Sequence, residues 1–299
     1  MTWLYLAVLS GLLLGVYDLF KKHSVNANAV MPVLLLSNLS AALVWAPLVA
    51  ISRIYPEHVI HPELLVDPIS LAEHGLLFIK SAIVGTSWLF GYFAVKHLPI
   101  SIAGSFRGIG PIFTIIGAFL LYGESPGLRQ SLGIILTLGS FFALSMVGKR
   151  EGIHFTGNRW VWLGLAGVLL GASSGLYDRY LLANYGFSPS TVQAWFSIYL
   201  FLFMLPPAFG WIRGWWAHSG FRWRWSIPLT GITLIIVDFF YFRALAEPEA
   251  MVSIVACIRR GSVLVSFVAG TILFREKLFL SKLPCVAGIL LGIVLILAG

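Results

Sequence analysis

An all-α polytopic membrane protein of ten transmembrane helices, built as two inverted five-helix repeats, is the fold this sequence predicts. Scarce charge, long apolar runs and an internal repeat predict it. Of 299 residues, 59% are hydrophobic and 11% charged, with a mean hydropathy of +0.90. A soluble domain carries about 25% charged residues, so this chain cannot cover a water-facing surface. Its apolar runs reach roughly 20 residues, the length that crosses a hydrocarbon core of about 30 Å. Thirty glycines and eleven tryptophans fit the same environment, since glycine lets membrane helices approach and tryptophan prefers the headgroup level.

The runs place helices at 3–20, 30–52, 75–95, 99–122, 128–147, 160–183, 190–212, 226–245, 250–273 and 281–298. Turn residues mark most breaks: Pro32, Pro99, Gly123 to Pro126, Ser188-Pro189, Pro248 and Pro284. The longest connection, 53–74, holds three prolines and the acids Glu57, Glu63, Asp67 and Glu73. The middle connection, Gly148 to Asn158, separates two units, 1–148 and 159–299. The first run lacks a basic leader and a small-residue cleavage site, and reads as a retained helix. Cys257 and Cys285 lie inside apolar runs without metal-type spacing, which predicts buried thiols.

A net charge of +8 suggests nucleic acid in a soluble protein; here it suggests orientation. With ten helices and an outer N-terminus, the inner connections hold Lys21, Lys22, Lys149, Arg150, Arg213, Arg222 and Arg224 among others. The outer ones hold Arg53, Arg129 and Arg243 with most of the acids. This asymmetry predicts a multi-pass protein of the cell (inner) membrane with both termini outside. The tryptophans around Trp215-Trp216 and Trp223-Arg224-Trp225 read as an interfacial belt, not a nucleic-acid platform.

Gly11-Leu-Leu-Leu-Gly15-Val-Tyr17-Asp18 returns as Gly171-Ala-Ser-Ser-Gly175-Leu-Tyr177-Asp178. Later in each half an arginine sits inside an apolar helix that runs into a glutamate: Arg107 to Glu124, and Arg259 to Glu276. Two matches in the same order point to duplication. Five helices per half make the second copy enter the bilayer the opposite way up. Inverted repeats give one sequence two packings whose exchange opens a central site to each side in turn.

Both halves resemble the EamA-type repeat of the drug/metabolite transporter superfamily in its ten-helix form. The resemblance is carried by Arg107-Gly-Ile-Gly-Pro111-Ile-Phe-Thr with Leu121-Tyr-Gly-Glu124, and by Ser262-Val-Leu-Val with Thr271-Ile-Leu-Phe-Arg-Glu276-Lys-Leu. Gly133…Gly139 and Gly288…Gly292 look like the glycine-rich helix closing each repeat, while Val263 stands where the pattern often has the proline seen at Pro111. The resemblance implies export or exchange of metabolites such as amino acids, sugars or nucleotide conjugates.

A charge at the bilayer centre costs about 2.5–3.5 kcal/mol on insertion scales, so each such residue faces a partner or a wet cavity. At 1.5 Å per residue, Arg107 and Arg259 sit roughly 12–14 Å deep. Three partners are open to them: a substrate carboxylate or phosphate gripped by the guanidinium fork, an internal aspartate such as Asp238, with Asp18 or Asp178 behind it, or helix carbonyls. Arg260 lies about 100° around the helix from Arg259, so one of the two faces the cavity while the other pairs elsewhere. Asp18 and Asp178 read as proton-coupling carboxylates or as gates pairing with Lys21, Lys22 or Arg179; Asp238, deeper, is the better coupling candidate. Asn38 in helix 2 and Gln193 in helix 7 are polar lining candidates, with Ser37 and Ser197 beside them. Trp88 and Tyr92 in helix 3 and Tyr241 in helix 8 are aromatic ones. The glycine pairs Gly11/Gly15 and Gly171/Gly175 read as close helix contacts, Glu124 and Glu276 as caps or ion-pair partners, and His58, His61 and His74 as a solvated loop.

No HExxH, GxSxG or Walker pattern and no metal-spaced His/Cys cluster occurs. The expectation is a secondary transporter, not an enzyme, that moves a small anionic or zwitterionic metabolite by alternating access. Its alternatives are a flippase for an amphiphilic or lipid-linked phosphate and, more remotely, an intramembrane enzyme or a subunit of a lipid-modifying complex. Expected partners are a small-molecule substrate and membrane lipids, with a homodimer as one admissible assembly. No cofactor, metal or nucleic acid is expected.

Overall fold

The computed structural model describes residues 2–97, 100–146, 159–215, 220–262, 264–265 and 279–299. Among them run ten α-helices: α1 (Thr2–Val25), α2 (Val30–Ile54), α3 (Leu71–His97), α4 (Ile100–Tyr122), α5 (Leu128–Met146), α6 (Arg159–Arg179), α7 (Pro189–Ile212), α8 (Ser226–Ala246), α9 (Val252–Ile258) and α10 (Phe279–Leu297). A π turn, Tyr180–Asn184, prolongs α6, and a 3-10 turn, Arg259–Gly261, prolongs α9. Five segments are each long and apolar enough to cross a membrane: α1, α2, α6 with its π turn, α7 and α8. The chain is an all-helical polytopic membrane protein.

The helix ends follow local chemistry. Ser188 caps α7, its hydroxyl accepting from Thr191 N, and Pro189 occupies the first helical position, where no amide is missed. Gly123 ends α4 with φ +62°, a left-handed conformation that a side chain disfavours. The turn it makes directs Glu124 onto the start of α9, where the carboxylate accepts from Val252 N (2.7 Å) and Ser253 N (3.1 Å). Glu124 is therefore a cap across helices; Glu276 lies outside the described residues.

Two helices run past their expected ends. The apolar run predicts an end at residue 20, yet α1 continues to Val25. Ser24 Oγ bonds Ser226 Oγ (2.7 Å), and Asn28 Nδ2 donates to Ser24 O (3.0 Å) and Arg222 O (2.7 Å), so the polar end is held by α8 and its approach. Helix α3 begins at Leu71, where Glu73 accepts from Ser70 N (2.6 Å). His74, expected in a solvated loop, instead packs edge-on to Trp195 (4.4 Å) and bonds the Tyr199 hydroxyl (2.7 Å). The expected helix at 250–273 starts at Val252; its part beyond 265 lies outside the described residues.

The packing repeats when helices 1–5 are exchanged for 6–10. Helix α1 lies on α8 as α6 lies on α3, and α2 lies on α8 as α7 lies on α3. The pairs α2·α7, α5·α10 and α4·α9 map onto themselves. Helices α5 and α10 cross on glycine: a Cβ at Gly133 would lie 2.6 Å from Gly292 O, and one at Gly292 2.7 Å from Gly133 O. Gly11 and Gly15 bring α1 against the α9 segment, with Ile258 O 3.1 Å and Ser262 O 2.7 Å from the respective Cβ positions. Gly175 differs from the close helix contact expected of it, because only the Tyr241 hydroxyl approaches, at 3.5 Å. Of the two thiols, Cys257 is buried and Cys285 only half-buried.

The connection between α2 and α3 folds over one end of the bundle. Glu63 pairs with Arg243 of α8, and Thr191 Oγ1 of α7 donates to Asp67 (3.0 Å). Ser190 donates to Glu63 O, and Asp67 N donates to Thr191 Oγ1 (2.8 Å). A vestibule of about 360 Å³ remains between this strap and the ends of α7 and α8.

Candidate functional site

Four ionisable side chains, three from helices and one from the turn after α9, meet inside the bundle. Lys80 of α3 pairs with Asp178 of α6, and Arg259, just after α9, pairs with Asp238 of α8 at 3.4 Å. Their depth is similar. Lys80 lies nine residues after Leu71, Asp238 eight before Ala246 and Arg259 seven after Val252, roughly 10–14 Å from helix ends on one face at 1.5 Å per residue. Two cations and two carboxylates sum to zero, the balance a low-dielectric interior requires.

Tyr241 joins the two pairs. Its hydroxyl acts on Asp178 through space, and the Arg259 guanidinium sits 4.0 Å from its ring centroid. Lys80 is boxed further by Phe196 (4.3 Å) and Phe242 (4.9 Å), whose ring faces attract the ammonium. The pairs differ in access. The Lys80 and Asp178 side chains are 2% and 5% exposed, those of Arg259 and Asp238 17% and 13%. One pair is sealed and the other is reachable.

Beside Asp238 lies a small cavity between α2, α7 and α8, lined by Asn38, Gln193, Ser197 and Asp238 among apolar neighbours. Gln193 Nε2 donates to Ile235 O (2.6 Å). Gln193 Oε1 and Asn38 Nδ2 are buried without a hydrogen-bond partner.

Asp178, Asp238, Arg259 and Tyr241 thus form one cluster, and Asn38 and Gln193 border it. Asp178 does not take Arg179 as its partner. Its partner is Lys80, while Arg179 turns away to the carbonyls of Leu245 (2.7 Å), Glu247 (2.6 Å) and Pro248 (2.7 Å). The reason is geometric: neighbours in a helix point about 100° apart, so Asp178 faces α3 while Arg179 faces the α8 end. Arg260 likewise turns from Arg259 toward Phe141, 6.0 Å from its ring. Trp88 belongs to another group, with Lys21 Nζ 5.8 Å from its ring and 5.4 Å from that of Tyr17. Asp18 is half-buried and makes no ion pair with a described residue. The side chains of Arg107 and Tyr92 lie outside the described residues.

Lys80 escaped the sequence reading. The signal was present: Gly75-Leu-Leu-Phe-Ile-Lys80-Ser-Ala-Ile-Val strands one lysine in apolar sequence, and the cost argument applied to the arginines applies equally. Among the described residues, no three His, Cys, Asp or Glu gather as a metal would require.

No curated protein compared matches the chain. Among solved structures, one crystal structure with 14% sequence identity superposes with a TM-score of 0.74, over 99% of this chain and 98% of that one. At that identity the match speaks to the fold alone. Residues 1–146 match the EamA-like transporter family. That match identifies residues 1–146, the first five helices of the bundle, as a unit of the EamA-like transporter family.

Proposed function

We propose that the protein is a secondary transporter for a small zwitterionic or anionic metabolite, worked by alternating access. The charge-neutral cluster of Lys80, Asp178, Asp238 and Arg259 carries the reading. A zwitterion presents a carboxylate to Arg259 and an ammonium to Asp238, so it replaces the reachable ion pair without changing the net charge. A lone anion adds uncompensated charge to a buried site. It enters only with a proton on Asp238, which makes that carboxylate the coupling group.

The half-exchanging packing supports alternating access, since exchange of the two packings would move the cluster between faces. Residues 159–299 then form a second EamA-like repeat. The inner-side excess of Lys and Arg supports a cell-membrane protein with both termini outside.

A thermal-shift screen of the purified protein against amino acids, carboxylates and phosphates tests the substrate class. A ligand at about 100 times its Kd stabilises the folded state by about 2.7 kcal/mol. Zwitterions should raise the midpoint of the wild type and leave that of Arg259→Gln unmoved. Stabilisation by lipid phosphates alone contradicts the proposal.

A further inference from the structure

The cavity between α2, α7 and α8 combines features that explain one another. Gln193 is 1% exposed and Asn38 3%, yet Gln193 Oε1 and Asn38 Nδ2 lack partners. A buried polar atom without a partner loses its full desolvation energy, so nearly all such atoms in folded proteins are satisfied by protein or by ordered water. Both residues line a space of about 10 Å³, the measure of one water-sized sphere. Asp238 lines it as well. The space therefore offers a donor, an acceptor and a carboxylate within one small volume, the two to four polar partners that a buried water needs.

From these we infer that the cavity is a site for one ordered water, which accepts from Asn38 Nδ2, donates to Gln193 Oε1 and links Asp238 to the α2/α7 seam as its route of proton exchange. The inference rests on the reading of Asp238 as the coupling carboxylate. A water fits better than a metal cation. The cluster is already neutral, so a cation would unbalance it, and the Asn38 Nδ2 that lacks a partner is a donor, which a cation cannot satisfy.

Among the described residues, no charged or titratable group other than Asp238 lines that cavity. Arg259, beyond α9, pairs with it at 3.4 Å. Lys80 of α3 and Asp178 of α6 act on it through space, as Tyr17 of α1 does. Tyr241, one turn along α8, engages Asp178 and Arg259. The lining residues from α2 and α7, Asn38, Gln193 and Ser197, are neutral. They can hold and orient water without competing for the proton.

The test uses the full chain in nanodiscs, with D2O as the probe. The carboxylic-acid C=O stretch of Asp238 is assigned as the infrared band lost in Asp238→Asn on titrating to low pH. Its deuterium shift is then timed after mixing. Gln193→Met keeps the shape of the side chain and removes the acceptor, and should slow the shift by roughly tenfold or more, because the bridging water loses a partner. Asn38→Leu should do the same. Asn38→Ser keeps a donor and should exchange like the wild type, which separates loss of the water from damage to the fold. Wild-type exchange rates in both Gln193→Met and Asn38→Leu would overturn the water site and leave the coupling role of Asp238 standing. Absence of any Asp238 carboxyl band at every pH would overturn the coupling role, and the water route with it.

Discussion

Lys80 sets the terms at the scale of single residues. This lysine is 2% exposed, paired with Asp178 and flanked by the rings of Phe196 and Phe242. Removing one member of a buried pair is strongly destabilising, by about 3–5 kcal/mol, whereas replacing both with apolar groups is often neutral. Lys80→Met should lower the thermal midpoint in detergent by that scale, and Lys80→Met/Asp178→Leu should recover most of the loss. Equal losses in the single and double variants would mean that Tyr241 and Arg259, not Lys80, hold Asp178 in place. The pair also shows where a sequence stops being legible. Arg259 and Asp238 stand out as charges inside apolar runs. Nothing in the linear order joins Lys80 to a carboxylate 98 positions away, because the contact between α3 and α6 exists only in the folded bundle.

At the scale of helices, the elements were readable because a membrane span must close its backbone hydrogen bonds internally, which ties helix length to apolar length. The ends that strayed, Val25 of α1 and Leu71 of α3, carry Ser24 and His74, which bond Ser226 and Tyr199 of other helices, a condition that run length does not contain. Glycine sets the crossing of α5 and α10. A methyl at Gly133 meets the Gly292 carbonyl at 2.6 Å, on backbone that cannot step aside. Gly133→Ala should therefore destabilise by about 1–3 kcal/mol, the usual toll of overpacking. Gly139, on the same helix, has nothing within 4 Å of its Cβ position. Gly139→Ala should be neutral or stabilising by up to about 1 kcal/mol. Thermal unfolding of the two variants checks the contrast, and equal effects would remove the crossing as the reason for glycine at 133.

Across the whole molecule, the half-exchanging packing, the strap and the charged cluster describe one device. Glu63 and Asp67, between α2 and α3, are fastened to α7 and α8, so the strap joins the first five helices to the last five over one face. The cluster lies beneath it and draws Lys80 from the first five and Asp178, Asp238 and Arg259 from the last five. Moving one set of helices against the other must strain or break the Lys80–Asp178 contact. A zwitterion that engages Arg259 and Asp238 takes over their pairing and leaves the net charge of the cluster unchanged. The most direct test is uptake by proteoliposomes of a labelled pool of zwitterionic amino acids, comparing the wild type with Arg259→Gln and Asp238→Asn. The account predicts accumulation above protein-free liposomes for the wild type and none for either variant, with both variants still folded by size exclusion. Uptake at the wild-type rate by both variants would contradict the charged cluster as the centre of transport.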